Sequence, residues 1–322
     1  KVKVQSPSSP SFPEFRNPFS SRRNLILVGL FIGLIFLGFL LFQKENKRIT
    51  NEKTAKKEYE QKITNLEKIS DPSVLYEIKT ADGFFPEKIS YSQNHIFFFN
   101  KNFQGIYDLS FERENLSLIK TDRKFDFVVA DSGLVFGLSL PNSFSFYKND
   151  TWKNQIMQMP SSAQISQASI YYKNFYLLDS KNCKIIKVGF GNDVFYAPSN
   201  WLKDGLKQDC SNIKSIALDG SLWILNKDSS IDVFRKGEFQ KNLKINVFPE
   251  PKNIVKISAI VGSPYLYLLE PEQKRIIILE KEGKLLKQIQ SDKFDNLKDI
   301  TVSEDGKTVY LLNGNTVFQI EI

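Results

Sequence analysis

The sequence predicts an all-β protein: a six-bladed β-propeller over residues 73–322, preceded by one transmembrane helix and a short helical stalk. Three observations predict it. A unit of three strand-like runs recurs at starts 38 to 48 residues apart, the length of one four-stranded blade. One strand-like run is left over before the first unit, and the last unit lacks its fourth strand. An unbroken apolar run of about 18 residues, Leu25 to Phe42, precedes them all.

Residues 1–23 are rich in serine and proline, as in Ser6-Pro7-Ser8-Ser9-Pro10. Such a stretch buries too little apolar surface to fold alone and reads as a disordered, extended linker. The chain begins at Lys1 and is read as a fragment, so an upstream domain is open.

The run within residues 24–43 is followed by Gln43-Lys44-Glu45-Asn46-Lys47-Arg48 and not by a small-residue cleavage site. It reads as an uncleaved signal anchor. Gly29 and Gly33 have the spacing of a GxxxG pair, which offers a route to a dimer through close helix packing. Residues 44–70 are rich in Lys and Glu and read as a helical stalk leaving the membrane. Tyr59, Ile63 and Leu66 mark one apolar stripe, too short for an established coiled coil.

From Ser73 onward the pattern is strand and turn. The clearest unit is Asn212 to Leu218, Ser221 to Asn226 and Ile231 to Arg235. It recurs from Asn253 and from Asn296, and more weakly from Glu87, Phe125 and Gln164. The leftover run from Ser73 to Lys79 is expected to complete the sixth blade and close the ring, which removes exposed sheet edges. Ile276, Ile278, Tyr267 and Leu269 are expected in the core between blades. Asp219-Gly220, Asp305-Gly306 and Asp131-Ser132-Gly133 are read as hairpin turns and not as metal sites.

The segments Ala217 to Leu225 and Lys274 to Gly283 resemble the repeats of NHL-like and TolB-like six-bladed propellers. The second is similar to the N-R-I-x-V-F-D-x-x-G portion of an NHL blade. The layout also resembles bacterial membrane-anchored propellers that follow a cytoplasmic PP2C-like phosphatase domain. That resemblance implies a binding or sensing role; none of the phosphatase's metal-binding aspartate motifs is present, so no catalytic residue carries over.

Charge narrows the function classes. The chain carries 44 Lys/Arg and 36 Asp/Glu, but residues 1–72 hold +6 of the +8 excess. Basic residues beside an anchor suit anionic lipid, and a propeller near neutrality is a poor nucleic-acid binder. His95 is the one histidine and is read as structural. No catalytic, cofactor or metal residues are assigned. Cys183 and Cys210 fall in loops on one face of the ring, which makes a disulfide the expectation in an oxidising compartment and two free thiols the alternative. The segment from Pro198 to Leu206 is expected to form a short helix, with Trp201 near the channel mouth as a candidate binding face.

Three functions follow in order of preference. The first is an extracytoplasmic binding or sensor propeller, with the output-coupled half of a larger signalling protein as its extended form. The second is a structural interaction scaffold of the cell envelope with a protein or polymer partner. The third, a propeller hydrolase or lyase, is disfavoured. Arg22 and Arg23 suit an N-inside anchor; Lys44, Lys47 and Arg48 argue the opposite. The outside is favoured from the resemblance and the cysteines.

Overall fold

The computed structural model describes residues 22–206 and 210–322. It divides into two compact units at Glu60/Gln61. The expected linker over residues 1–21 lies outside the described residues, while Arg22 and Arg23 begin a helix.

That helix, α1, covers Arg22–Thr64 without interruption. No proline or charged side chain breaks it between Arg23 and Lys44. Its side chains from Ile26 to Phe42 are exposed, Leu30 and Phe31 among them at 62% and 66%. It is the one helix among the described residues long and apolar enough to cross a membrane. Further along, Arg48–Glu52 (3.2 Å) and Lys56–Glu60 (3.9 Å) pair one turn apart. Such exposed pairs add only about 0.3–0.5 kcal/mol each to the helix.

The helix ends earlier than the expected stalk. Leu66–Lys68 is a strand that pairs in parallel with Gln288 to Gln290. Pairing with the propeller explains the correction: Gln288 N donates to Asn65 O (2.9 Å) and Ile69 N to Gln290 O (2.9 Å).

Six antiparallel blades follow. In chain order their innermost strands are Lys88–Ser92, Phe127–Asp131, Ile165–Tyr171, Ile213–Leu218, Lys256–Ala259 and Leu297–Val302. The two middle strands of each blade are buried on both faces by the neighbouring blades. This is why they read as nearly continuous apolar runs, such as Tyr265–Glu270 and Arg275–Glu280, and not as alternating ones. Outer strands meet solvent, and Glu238–Lys244 buries a single residue. The sixth blade takes its fourth strand from the other end of the domain: Ser73–Glu77 pairs antiparallel with Thr316–Glu321.

Six apolar clusters fill the six blade interfaces. Tyr267, Leu269, Ile276 and Ile278 lie in the layer between blades five and six, each 0% exposed. The layer between blades two and three is aromatic. There Phe136, Phe144, Phe146 and Phe175 meet Phe190 and Phe195, mostly edge to face at 4.8–6.3 Å. Phe190 and Phe195 arrive on a small extra hairpin, Phe190–Gly191 with Val194–Phe195. The hairpin lengthens the third repeat and leaves its outermost strand only two residues, Ser199–Asn200.

Candidate functional site

An innermost strand has a sheet partner on one side only, so half of its edge amides face the axis or the next blade. Side chains of the preceding blade satisfy them. Asp299 Oδ2 accepts from Ile89 N (3.0 Å) and Thr301 Oγ1 from Tyr91 N (3.1 Å). Ser90 Oγ accepts from Ala130 N (2.8 Å), Ser92 Oγ from Gly133 N (3.0 Å), and Asp131 Oδ2 from Lys173 N (2.5 Å). Ser215 Oγ accepts from Ile257 N (3.3 Å). A buried amide left without such an acceptor costs about 1–3 kcal/mol, so these short polar side chains are needed where the ring is tightest.

Inside this ring lies a cavity of about 680 Å³, lined by all six innermost strands. Its walls change along the axis. Further along the strands the lining includes Ser169, Ala217, Ser258, Ala259 and Thr301, with the apolar Ile170, Leu218 and Ile300 beside them. Where the innermost strands begin, the lining includes Lys88, Lys214, Lys256 and Lys298, joined by Lys101 from a hairpin turn. Glu87, Asp126 and Asp299 are the acids of the lining.

The lysines are held differently. Lys256 pairs with Asp299, whose side chain is 1% exposed, while Lys256 keeps 29% of its own side-chain surface open to the cavity. Burial pulls the Lys256 ammonium below its usual range, and the facing Asp299 only partly offsets this. Lys214 Nζ donates to Asn253 Oδ1 (2.8 Å), and Lys298 Nζ to Pro86 O (3.0 Å). Both acceptors are neutral. Burial also holds Lys214 below the usual lysine range. The repeats carry this arc as Asn212-Ile-Lys, Asn253-Ile-Val-Lys and Asn296-Leu-Lys, positions that the sequence analysis did not single out.

The residues singled out from sequence lie elsewhere. The structure joins Cys183, in the turn before Lys184–Val188, to Cys210, with Cα atoms 5.5 Å apart. Cys210 opens a 3₁₀ turn, Cys210–Asn212, and the expected helix over 198–206 is absent. There Ser199–Asn200 adds to blade three, and Trp201 N donates to Ile185 O (2.8 Å). Trp201 packs edge-on against Tyr176 (5.6 Å, 86°) in the layer between blades three and four. It covers that layer's outer side and does not line the axial cavity, which corrects its expected place at the mouth.

His95 opens the strand His95–Phe99, and its Nδ1 lies 2.8 Å from Asp108 Oδ1 beside a surface cleft. The turn glycines have positive φ, +112° at Gly220 and +73° at Gly306. Their aspartates do more than turn the chain. Asp219 accepts from Trp223 Nε1 (2.9 Å) and pairs with Lys281 of the next blade. Among the described residues no group of three or more His, Cys, Asp or Glu side chains comes together. Gly29 and Gly33 lie on an uncovered part of α1, with no atom near either.

No protein-family model matches the sequence, and no curated protein matches it in sequence. Solved structures do match in shape. A streptogramin B lyase is 12% identical with a TM-score of 0.52, over 73% of this chain and 92% of that one. A gluconolactonase from Xanthomonas campestris is 9% identical with a TM-score of 0.56, over 77% and 88%. A calcium-binding regucalcin from Agrobacterium tumefaciens is 8% identical with a TM-score of 0.56, over 80% and 96%. At these identities the likeness shows the six-bladed fold alone.

Proposed function

We propose that this chain is a membrane-tethered, non-catalytic binding module whose propeller takes a small ligand into its axial cavity. One observation carries the reading. The closed ring leaves about 680 Å³ open at a mouth whose charged side chains all converge on one space. That volume is within the range that small-molecule sites occupy. Among the hydroxyls of the lining, Ser215 and Thr301 are already engaged in holding the ring, which favours binding over acid–base chemistry.

The tether is α1, whose uncovered apolar surface has no other use in the described fold. A propeller outside the cytoplasm is supported by the Cys183–Cys210 pairing, since such a bond persists in an oxidising compartment. On the resemblance to propellers that follow a PP2C-like domain, the module is the sensing half of a larger signalling protein.

Two experiments test this reading. Protease added to intact cells should digest the propeller; digestion only after lysis would place it in the cytoplasm and remove the sensor assignment. A thermal-shift screen of small metabolites should find ligands that stabilise the full chain but not Ser258→Trp, which fills the cavity. Ligands that stabilise both equally would move binding away from the axis.

A further inference from the structure

We infer that the lysine arc at the cavity mouth is an anion site, which takes its ligand by a carboxylate or a phosphate group. The inference rests on the axial cavity being the binding site, and it names the ligand's chemistry.

Position is the first argument. Four successive blades around the ring, the fourth, fifth, sixth and first, each place a lysine within the first two residues of the innermost strand. They are Lys214, Lys256, Lys298 and Lys88, and all four line one cavity. Lys214, Lys256 and Lys298 each bond across to the next blade, at Asn253, Asp299 and Pro86, which holds their ammonium groups at this end of the ring. The second blade begins its innermost strand with Phe127 and the third with Ile165. The arc is therefore one-sided, covering four of six blades, and a ligand would be oriented by it.

Compensation is the second argument. Lys256 has a carboxylate partner, whereas the bonds recorded for Lys214 and Lys298 go to an amide oxygen and a backbone carbonyl. A neutral acceptor orients an ammonium without cancelling its charge, and at Lys214 the field of Glu270 only partly offsets burial. Holding two such charges partly out of water is unfavourable, and an anion placed between them reverses the sign of that term. The lining as a whole carries five lysines against three acids. Two of the acids, Asp126 and Asp299, are engaged by backbone amides at Leu140 and Ile89.

The rest of the cavity fits the remainder of such a ligand. Ser169, Ser258 and Thr301 lie further along the strands and offer hydroxyls to a polar body. The volume suits a metabolite of a few to about twenty heavy atoms and not a polymer segment.

The test uses the full chain in lipid nanodiscs, titrated calorimetrically with citrate, inorganic phosphate and uncharged glucose. Saturable binding of citrate or phosphate, weakening with added salt, is the expected result. Citrate alone points to carboxylates, phosphate alone to phosphate esters. Lys214→Gln and Lys298→Gln should each weaken binding at least tenfold, and the exposed Lys184→Gln should leave it unchanged. Lys88→Glu, an exposed position that folding does not depend on, should weaken it further than either glutamine. Glucose binding that ignores the lysine variants would overturn the anion class and leave the cavity reading standing. Anion binding that survives Ser258→Trp would overturn both, and no saturable binding of citrate or phosphate would overturn the anion site.

Discussion

Replacing Arg275 by methionine tests how the ring and the chain leading into it are joined. Arg275 and Glu270 are 1% and 0% exposed at their side chains, yet both are charged groups inside blade five. Arg275 Nε donates to Glu270 Oε2 (2.6 Å), one Nη to Pro249 O (2.8 Å), and the other to Gln288 Oε1. Gln288 in turn donates to Phe248 O (2.9 Å) and to Thr64 O, just where α1 ends. Methionine keeps the stem but removes every one of these donors. Glu270 retains bonds from the backbone amides of Lys252 (2.5 Å) and Asn253 (3.1 Å) but loses its countercharge. Breaking one side of a buried pair costs about 3–5 kcal/mol. In a domain of this size that lowers Tm by roughly 6–20 °C. The same change frees Gln288, so the amides of Gln288 and Ile69 that bond Leu66–Lys68 to blade five should exchange faster than those of the blade core. Denaturant titration and hydrogen exchange read the two effects separately. A loss under about 1 kcal/mol, or unchanged exchange at Ile69, would refute the account of this network as the join.

Three further outcomes follow from the geometry. If Cys183 and Cys210 are bonded in the cell, Cys183→Ser should cost about 3.5 kcal/mol by the loop-entropy relation for their separation of 27 residues, and reductant should lower the wild-type Tm but not the variant's. Gly237 has φ +81°, and a Cβ there would lie 2.4 Å from Trp201 O; Gly237→Ala should therefore cost about 2–3 kcal/mol in urea unfolding. For Asp179, burial raises the carboxyl, but bonds from Gln164 N (3.0 Å) and Asn182 (2.7 and 3.2 Å) outweigh it and hold it below its usual 3.8. A depressed carboxylate contributes stability above its unfolded pKa and loses it as pH falls through the folded value. Asp179→Asn should flatten the fall in Tm below about pH 4 that the wild type shows.

How much of this was readable depended on how local each signal is. The blade repeat was legible because middle strands buried on both faces force continuous apolar runs, as in Arg275–Glu280, and because hairpin turns punctuate them at regular spacing. Ring closure was legible by matching a spare strand at Ser73 to a missing one after Glu321. The strand Leu66–Lys68 was not, since three residues carry no period and their partners lie more than two hundred residues away. The hairpin from Phe190 to Phe195 was not read, although Gly191-Asn192-Asp193 is a turn signal, because each of its strands is only two residues long. Trp201 was expected on a short helix near the channel mouth because Pro198 to Leu206 interrupts the strand pattern, whereas the backbone there folds back onto Ile185. Three lysines of the arc follow an Asn and one or two apolar residues, at Lys214, Lys256 and Lys298, yet only the closed ring shows that these positions share one space.

The leading segment touches the ring twice, first at Leu66–Lys68 on blade five and then at Ser73–Glu77 on blade six. The second contact is the seam, where the two ends of the domain meet. Tension carried along the chain from α1 therefore loads the ladder on blade five before it reaches the seam. The three paired residues, together with the Lys287–Glu67 and Lys293–Asp71 ion pairs, act as a strain relief. Force applied ahead of Leu66 would fray this short auxiliary strand before it reached the seam.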